Sequence, residues 1–141
     1  MLIDQISKNW ARQKLSSGLT IPFVPGLLQF RLVSNTGAAF NLFDGATPLL
    51  GLLSLAVAIG LILWIWRTGP MPIWQGLAVA FLLGGTIGNG IDRWRLGHVS
   101  DFLQLVPVDF PIFNTADVAI NLAVICFGID ALTRRHGHKH T

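Results

Sequence analysis

Residues 48–66 read PLLGLLSLAVAIGLILWIW, nineteen residues without a charge. At 1.5 Å per residue a helix of that length matches the ~30 Å hydrocarbon core of a bilayer. Two more segments have the same character. Residues 73–91 (IWQGLAVAFLLGGTIGNGI) are uncharged and turn polar at their end, and residues 113–132 (FNTADVAINLAVICFGIDAL) carry Asp117 near the start and Asp130 near the end. Trp64, Trp66 and Trp74 bracket the short connection between the first two, where an aromatic belt would put them.

Composition supports a bilayer rather than water as solvent. Charged residues are 12% of the 141, about half the usual share, and 52% are hydrophobic. Mean hydropathy is +0.58. All seven acidic residues are Asp. A soluble domain of this size needs a charged shell that this chain does not supply. The net charge of +3 comes from ten Lys and Arg spread singly or in pairs. A nucleic-acid binder would gather them into a patch, so no nucleic-acid partner is expected. Cys126 stands alone within an apolar run and reads as a small core residue. The length allows one domain over residues 1–141.

Between the apolar segments, residues 19–33 (LTIPFVPGLLQFRLV) mix prolines and a glycine with β-branched and aromatic residues, which predicts short strands at the membrane surface. Residues 98–112 predict a loop with a strand-like part. The fold class expected is an all-α membrane protein, a small transmembrane helix bundle carrying a small extracytoplasmic β element.

Polar groups inside spans are costly and therefore informative. Asn89, Asp92 and Arg93 end the second segment, and Asn114 and Asp117 begin the third, at one membrane depth. At ~100° per residue, Asn114, Asp117 and Asn121 share a helix arc of about 60°. Asp130 belongs to the opposite surface. Two helix ends thus present polar faces to a common site. A pair of carboxylates there can hydrolyse a peptide bond without metal or covalent intermediate. Like-charge repulsion lets the two share one proton, so one activates water while the other protonates the carbonyl oxygen. From spacing, the partner of Asp117 is Asp101, Asp109 or Asp92. Asp92 adjoins Arg93 and suits a charge pair, Asp109 in VPVDFP suits a turn, and Asp101 in HVSDF can reach back to the surface.

These residues fall in blocks that resemble a known family. SNTGAAF (34–40), GGTIGNGIDR (84–93), GHVSDF (97–102) and FPIFNTADV (110–118) are similar, in order and spacing, to the signature blocks of the lipoprotein signal peptidases (type II signal peptidases), and DQISK (4–8) resembles a fifth. The resemblance implies a four-helix enzyme of the bacterial cytoplasmic (inner) membrane, multi-pass. A monomer without cofactor is expected, and no metal site, since His98 has no partner His or Cys at ligand spacing. The resemblance also implies removal of signal peptides from prolipoproteins by cleavage before a diacylglyceryl-modified cysteine, near the extracytoplasmic face. By the same resemblance Asp101 and Asp117 are the catalytic pair, and Asn35, Asn89, Asp92, Arg93 and Asn114 surround the substrate. Membrane lipids are the remaining expected partner. The family's first helix precedes DQxxK, so residues 1–15 are expected to be the remnant of one that begins upstream of Met1.

Orientation rests on the resemblance. With Arg67, Arg134, Arg135 and Lys139 inside, Arg31, Arg93 and Arg95 lie outside, and the balance is too even to decide. Gly84 and Gly88 form a small-xxx-small pair suited to helix contact. With Gly85 they are also expected to help open a gap for acyl chains. Simpler readings exist for several residues: Asn114 as a helix cap, Arg93 as an interfacial anchor, and the histidines of the HGHKH tail as a solvated end. A transporter subunit would need polar residues through the whole bilayer depth, and 48–66 is clean apart from Ser54. An inactive, peptidase-derived scaffold would not need the Asp pair.

Overall fold

The computed structural model describes residues 1–16, 18–38 and 42–137. Ala39 and Phe40 of the SNTGAAF block lie outside the described residues, as do His138, Lys139 and His140 and the side chains of Arg135 and His136. The chain order is α1 (Leu2–Lys14), β1 (Thr20–Val24), β2 (Leu28–Asn35), α2 (Thr47–Thr68), α3 (Ile73–Leu96), β3 (Val99–Leu105) and α4 (Thr115–Gly137). Four helices and a three-stranded antiparallel sheet in the order β1-β2-β3 make up the fold.

α2 carries the clean apolar run. Pro48 sits in its first turn, where no amide hydrogen is missed. Its buried residues are Thr47, Gly51, Ser54 and Ala58, all small and spaced at helical repeats. Most of its leucines and isoleucines are exposed, Leu52 being 63% exposed. That inversion, small residues inward and bulky apolar residues outward, suits a helix whose solvent is lipid. α2 (Thr47–Thr68) and the stretch Thr115–Arg134 of α4 are long and apolar enough to cross a membrane.

α3 lies between them and packs against both. It runs past the expected 73–91 segment to Leu96, so Asp92 and Arg93 lie within the helix rather than beyond it. Gly97, with φ of 75°, takes the left-handed conformation that ends it, its N–H bonding to Arg93 O. Close contacts use its small residues. A Cβ at Gly85 would stand 2.6 Å from Ala116 O of α4, and one at Gly88 would stand 2.5 Å from Asp4 Oδ2 of α1. Trp94 fills the α2 side, donating from Nε1 to Gly51 O at 3.0 Å.

α1 is inverted in the same sense. Its buried residues are Asp4, Lys8 and Ala11, while Leu2, Ile3 and Ile6 are exposed. At the C-terminal end of α1 a small core of Ala11, Leu15 and Phe102, flanked by Phe30, Leu32 and Leu103, joins the helix to the sheet. The strands expected within 19–33 and 98–112 are β1, β2 and β3. Val33 pairs with Asp101 and Asn35 with Val99, which brings the end of β2 beside the start of β3.

Candidate active site

Asp117 occupies the first turn of α4, where local chemistry holds it. Asn114 precedes the helix, and its Oδ1 accepts from the amides of Ala116 at 2.8 Å and Asp117 at 3.1 Å. Asp117 returns the bond, Oδ2 accepting from Asn114 N at 3.0 Å. This reciprocal cap satisfies amides that a helix start leaves unpaired. It also fixes the Asp117 carboxylate and turns the Asn114 Nδ2 group inward. The capping role expected of Asn114 is therefore real, and it serves the site.

Asp101 comes from β3 and is 3% exposed. Its Oδ2 accepts from Asn35 Nδ2 at 2.9 Å, and its Oδ1 from Asn114 Nδ2 at 2.6 Å. Asn114 thereby touches both aspartates. Asn89, on α3, completes the group: its Nδ2 donates to Asp117 Oδ1 at 2.9 Å, and its Oδ1 accepts from Asn114 Nδ2 at 3.1 Å. Burial pushes the Asp101 carboxyl up to about 6, with the Asp117 charge adding to the rise. The amides of Asn35 and Asn114 and the cation of Lys8 oppose it.

Both aspartates line one cavity of about 730 Å³, together with Asn35, Asn89 and Arg93. Away from this polar end its walls are apolar, with Leu53 and Val57 from α2 and Ile120, Leu122 and Ile125 from α4. These apolar walls come from α2 and α4. Gly84, Gly85 and Gly88, expected to help open a gap, do not line this cavity. Gly85 and Gly88 are filled against α4 and α1, and a Cβ at Gly84 would stand 3.3 Å from Met1 N.

Of the residues expected around a substrate, Asn35, Asn89 and Arg93 line the cavity and Asn114 lies behind it, wholly buried. Arg93 donates to Gly37 O at 3.2 Å, and its buried Nε has no hydrogen-bond partner. Asp92 faces away from the cavity. It is 1% exposed and meets Lys8 at 3.4 Å and Arg12 at 3.8 Å, so its cations are those of α1 and not the adjacent Arg93. It also accepts from Ser100 N at 3.0 Å, tying α3 to β3. Of the three carboxylates that spacing allowed as partners for Asp117, Asp101 shares its cavity. Asp109 is exposed and lies just past the bend that follows β3.

The network on α1 exceeds what the sequence reading singled out. Asp4 Oδ1 accepts from Thr115 Oγ1 and Ala116 N, both at 2.9 Å, and its Oδ2 pairs with Lys8 at 3.0 Å. Gln5 donates to Gly88 O at 3.1 Å and to Asp92 at 3.2 Å. Arg12 reaches Ser100 Oγ at 2.9 Å. The signal was present in the sequence: Asp4, Lys8 and Arg12 recur every four residues and so share one helix face.

A family profile described as "Signal peptidase (SPase) II" matches residues 1–133. The chain belongs to the signal peptidase II family. A lipoprotein signal peptidase of Parasynechococcus marenigrum (strain WH8102) is 59% identical over 140 residues, 99% of this chain and 88% of that one. One of Synechococcus sp. (strain RCC307) is 54% identical over 136 residues, 96% and 90% of the two chains. A bacterial membrane enzyme determined by the in meso method at 2.3 Å superposes with a TM-score of 0.91 at 27% identity, covering 99% of this chain and 87% of that one. Another, at 1.9 Å, gives 0.83 at 28% identity, covering 93% and 86%. The four helices and small sheet are thus the signal peptidase II fold, and the cavity lies inside the part that the family shares.

Proposed function

We propose that this signal peptidase II family member is an aspartic endopeptidase that removes signal peptides from prolipoproteins, cutting before a diacylglyceryl-modified cysteine with Asp101 and Asp117. The observation that carries the reading is that both carboxylates open into one cavity and are held by amide donors. Among the described residues neither forms a salt bridge. Amides fix the carboxylates without neutralising them, so the two remain able to share a proton.

In the reaction one carboxylate takes a proton from a water lying between them as it attacks the scissile carbonyl. The other gives its proton to the carbonyl oxygen. Collapse of the tetrahedral diol returns a proton to the leaving nitrogen and restores the shared one. The two roles belong to the pair. Asn35 and Asn89 keep the pair aimed, and Arg93 offers a donor to a substrate carbonyl at the rim.

The reading extends to place and substrate. The chain acts as a monomer in the bacterial cytoplasmic membrane, multi-pass, with its site near the extracytoplasmic face. Membrane lipid surrounds it, and the apolar walls between α2 and α4 take the acyl chains. Each buried CH₂ contributes ~0.8 kcal/mol, so the lipid sets the depth of the peptide bond. Purified enzyme in detergent tests this with paired precursor peptides, lipid-modified and unmodified. Cleavage of the modified peptide alone is expected. Comparable cleavage of both would contradict the depth argument.

A further inference from the structure

We infer that Lys8 is a positioning residue for the reaction, because its ammonium sets which way the Asn89 amide faces and so which group Asp117 meets. The inference rests on the aspartate-pair reading above.

An asparagine amide is nearly symmetric in shape, and its neighbours decide which end is oxygen. Lys8 Nζ reaches Asn89 Oδ1 at 2.8 Å. A lysine ammonium donates and cannot accept, so Oδ1 is held on the Lys8 side and Nδ2 is turned to Asp117 Oδ1, 2.9 Å away. Asn114 adds a second donor to Oδ1 at 3.1 Å. The charged bond is the shorter and stronger of the two. Asp117 therefore receives an N–H whether or not it carries the shared proton. Without Lys8, the amide is held by Asn114 alone and can turn its oxygen toward a protonated Asp117.

Lys8 does this without touching substrate. It is wholly buried and absent from the cavity wall. Its three donor positions have three partners: Asn89, Asp4 at 3.0 Å and Asp92 at 3.4 Å. Asp4 and Asp92 in turn are braced by Thr115, Gln5, Ser100 and Arg12. The charged groups that meet Lys8 are Asp4 from α1 and Asp92 from α3, itself paired with Arg12, and its charge reaches Asp101 on β3 and Asp117 on α4. Its positive charge also favours ionised Asp101.

The test compares kcat and KM against pH for purified wild type, Lys8→Met, Asp92→Asn and Asp101→Asn on a lipid-modified precursor peptide. For Lys8→Met we expect kcat to fall by about tenfold or more, with KM changed by less than about twofold. Loss of the cation should move the acid limb of its pH profile up by about half a unit to one unit. Asp92→Asn disturbs the same ion pairs but should not move the limb upward. A Lys8→Met profile that keeps the wild-type limb, with loss only of thermal stability or of KM, would make Lys8 purely structural. Turnover by Asp101→Asn would instead remove the aspartate pair on which the inference depends. If Lys8→Met does not fold, the wild type serves. Among its three lysines, the ¹⁵Nζ resonance of buried Lys8 should show an inflection at the pH of the acid limb, and a flat response would overturn the inference.

Discussion

Asp101 shows what the site costs the protein. Burial pushes its carboxyl up to about 6 in the fold, from the ordinary 3.8. Between those values the folded state binds more protons than the unfolded one, so stability falls as pH rises through this window. The gap corresponds to roughly 3 kcal/mol lost at neutral pH. Asp101→Asn removes that charge but leaves an oxygen that serves Asn35 and Asn114 less well than two did. The variant should therefore be more stable than wild type by about 1–2 kcal/mol at pH 8. Below pH 4, where wild type has regained those roughly 3 kcal/mol, the order should reverse and the variant should be the less stable by about 1–2 kcal/mol, as read by thermal or denaturant unfolding in detergent. A destabilised variant at pH 8 would mean that the carboxylate is held by stronger bonds than those described. The Asp117 environment was partly legible in the sequence, since a cap residue three positions before an acid is a local pattern. The Asp101 environment was not. Its partners lie 66 and 13 positions away in the chain, and only strand pairing brings Asn35 to it.

At the scale of elements, α3 divides its labour by face. One face contacts α1 and α4 through Gly85 and Gly88, and the end of the helix offers Asn89 and Arg93 to the cavity. Because even a methyl at Gly88 would strike the Asp4 carboxylate, Gly88→Ala should destabilise by about 1–3 kcal/mol and loosen α1. Arg93→Ala should instead lower turnover by roughly tenfold or more with little change in unfolding temperature. Equal stability defects in the two variants would make Arg93 structural. Apolar run lengths made the three long helices readable, to within about a turn and a half at their ends. Proline, glycine and β-branched residues marked the strands. The docking of α1 was harder to read, because its inward face is charged and hydrophobic periodicity points the wrong way when lipid is the solvent. The glycines of α3 were read as contact residues and as spacers for lipid, and packing against Asp4 and Ala116 leaves them only the first role.

For the whole molecule, polar bonds gather at one end of an apolar bundle. There α1, α3, β3 and α4 meet in a continuous network from Arg12 to Asp117, while the opposite end is clipped by Arg134 to Asp130 at 3.0 Å and to Gln75 at 2.7 Å. The arrangement sets a hydrogen-bonded polar end against an apolar-walled cavity, which the proposed hydrolysis of a peptide bond beside an acyl chain would use. The most direct test of that account is turnover of a lipid-modified precursor by Asp101→Asn, Asp117→Asn and Asp109→Asn, each purified and shown to be folded. The account predicts a loss of roughly 10³-fold or more for the first two and near wild-type turnover for the third. Substantial cleavage by either Asp101→Asn or Asp117→Asn would contradict it.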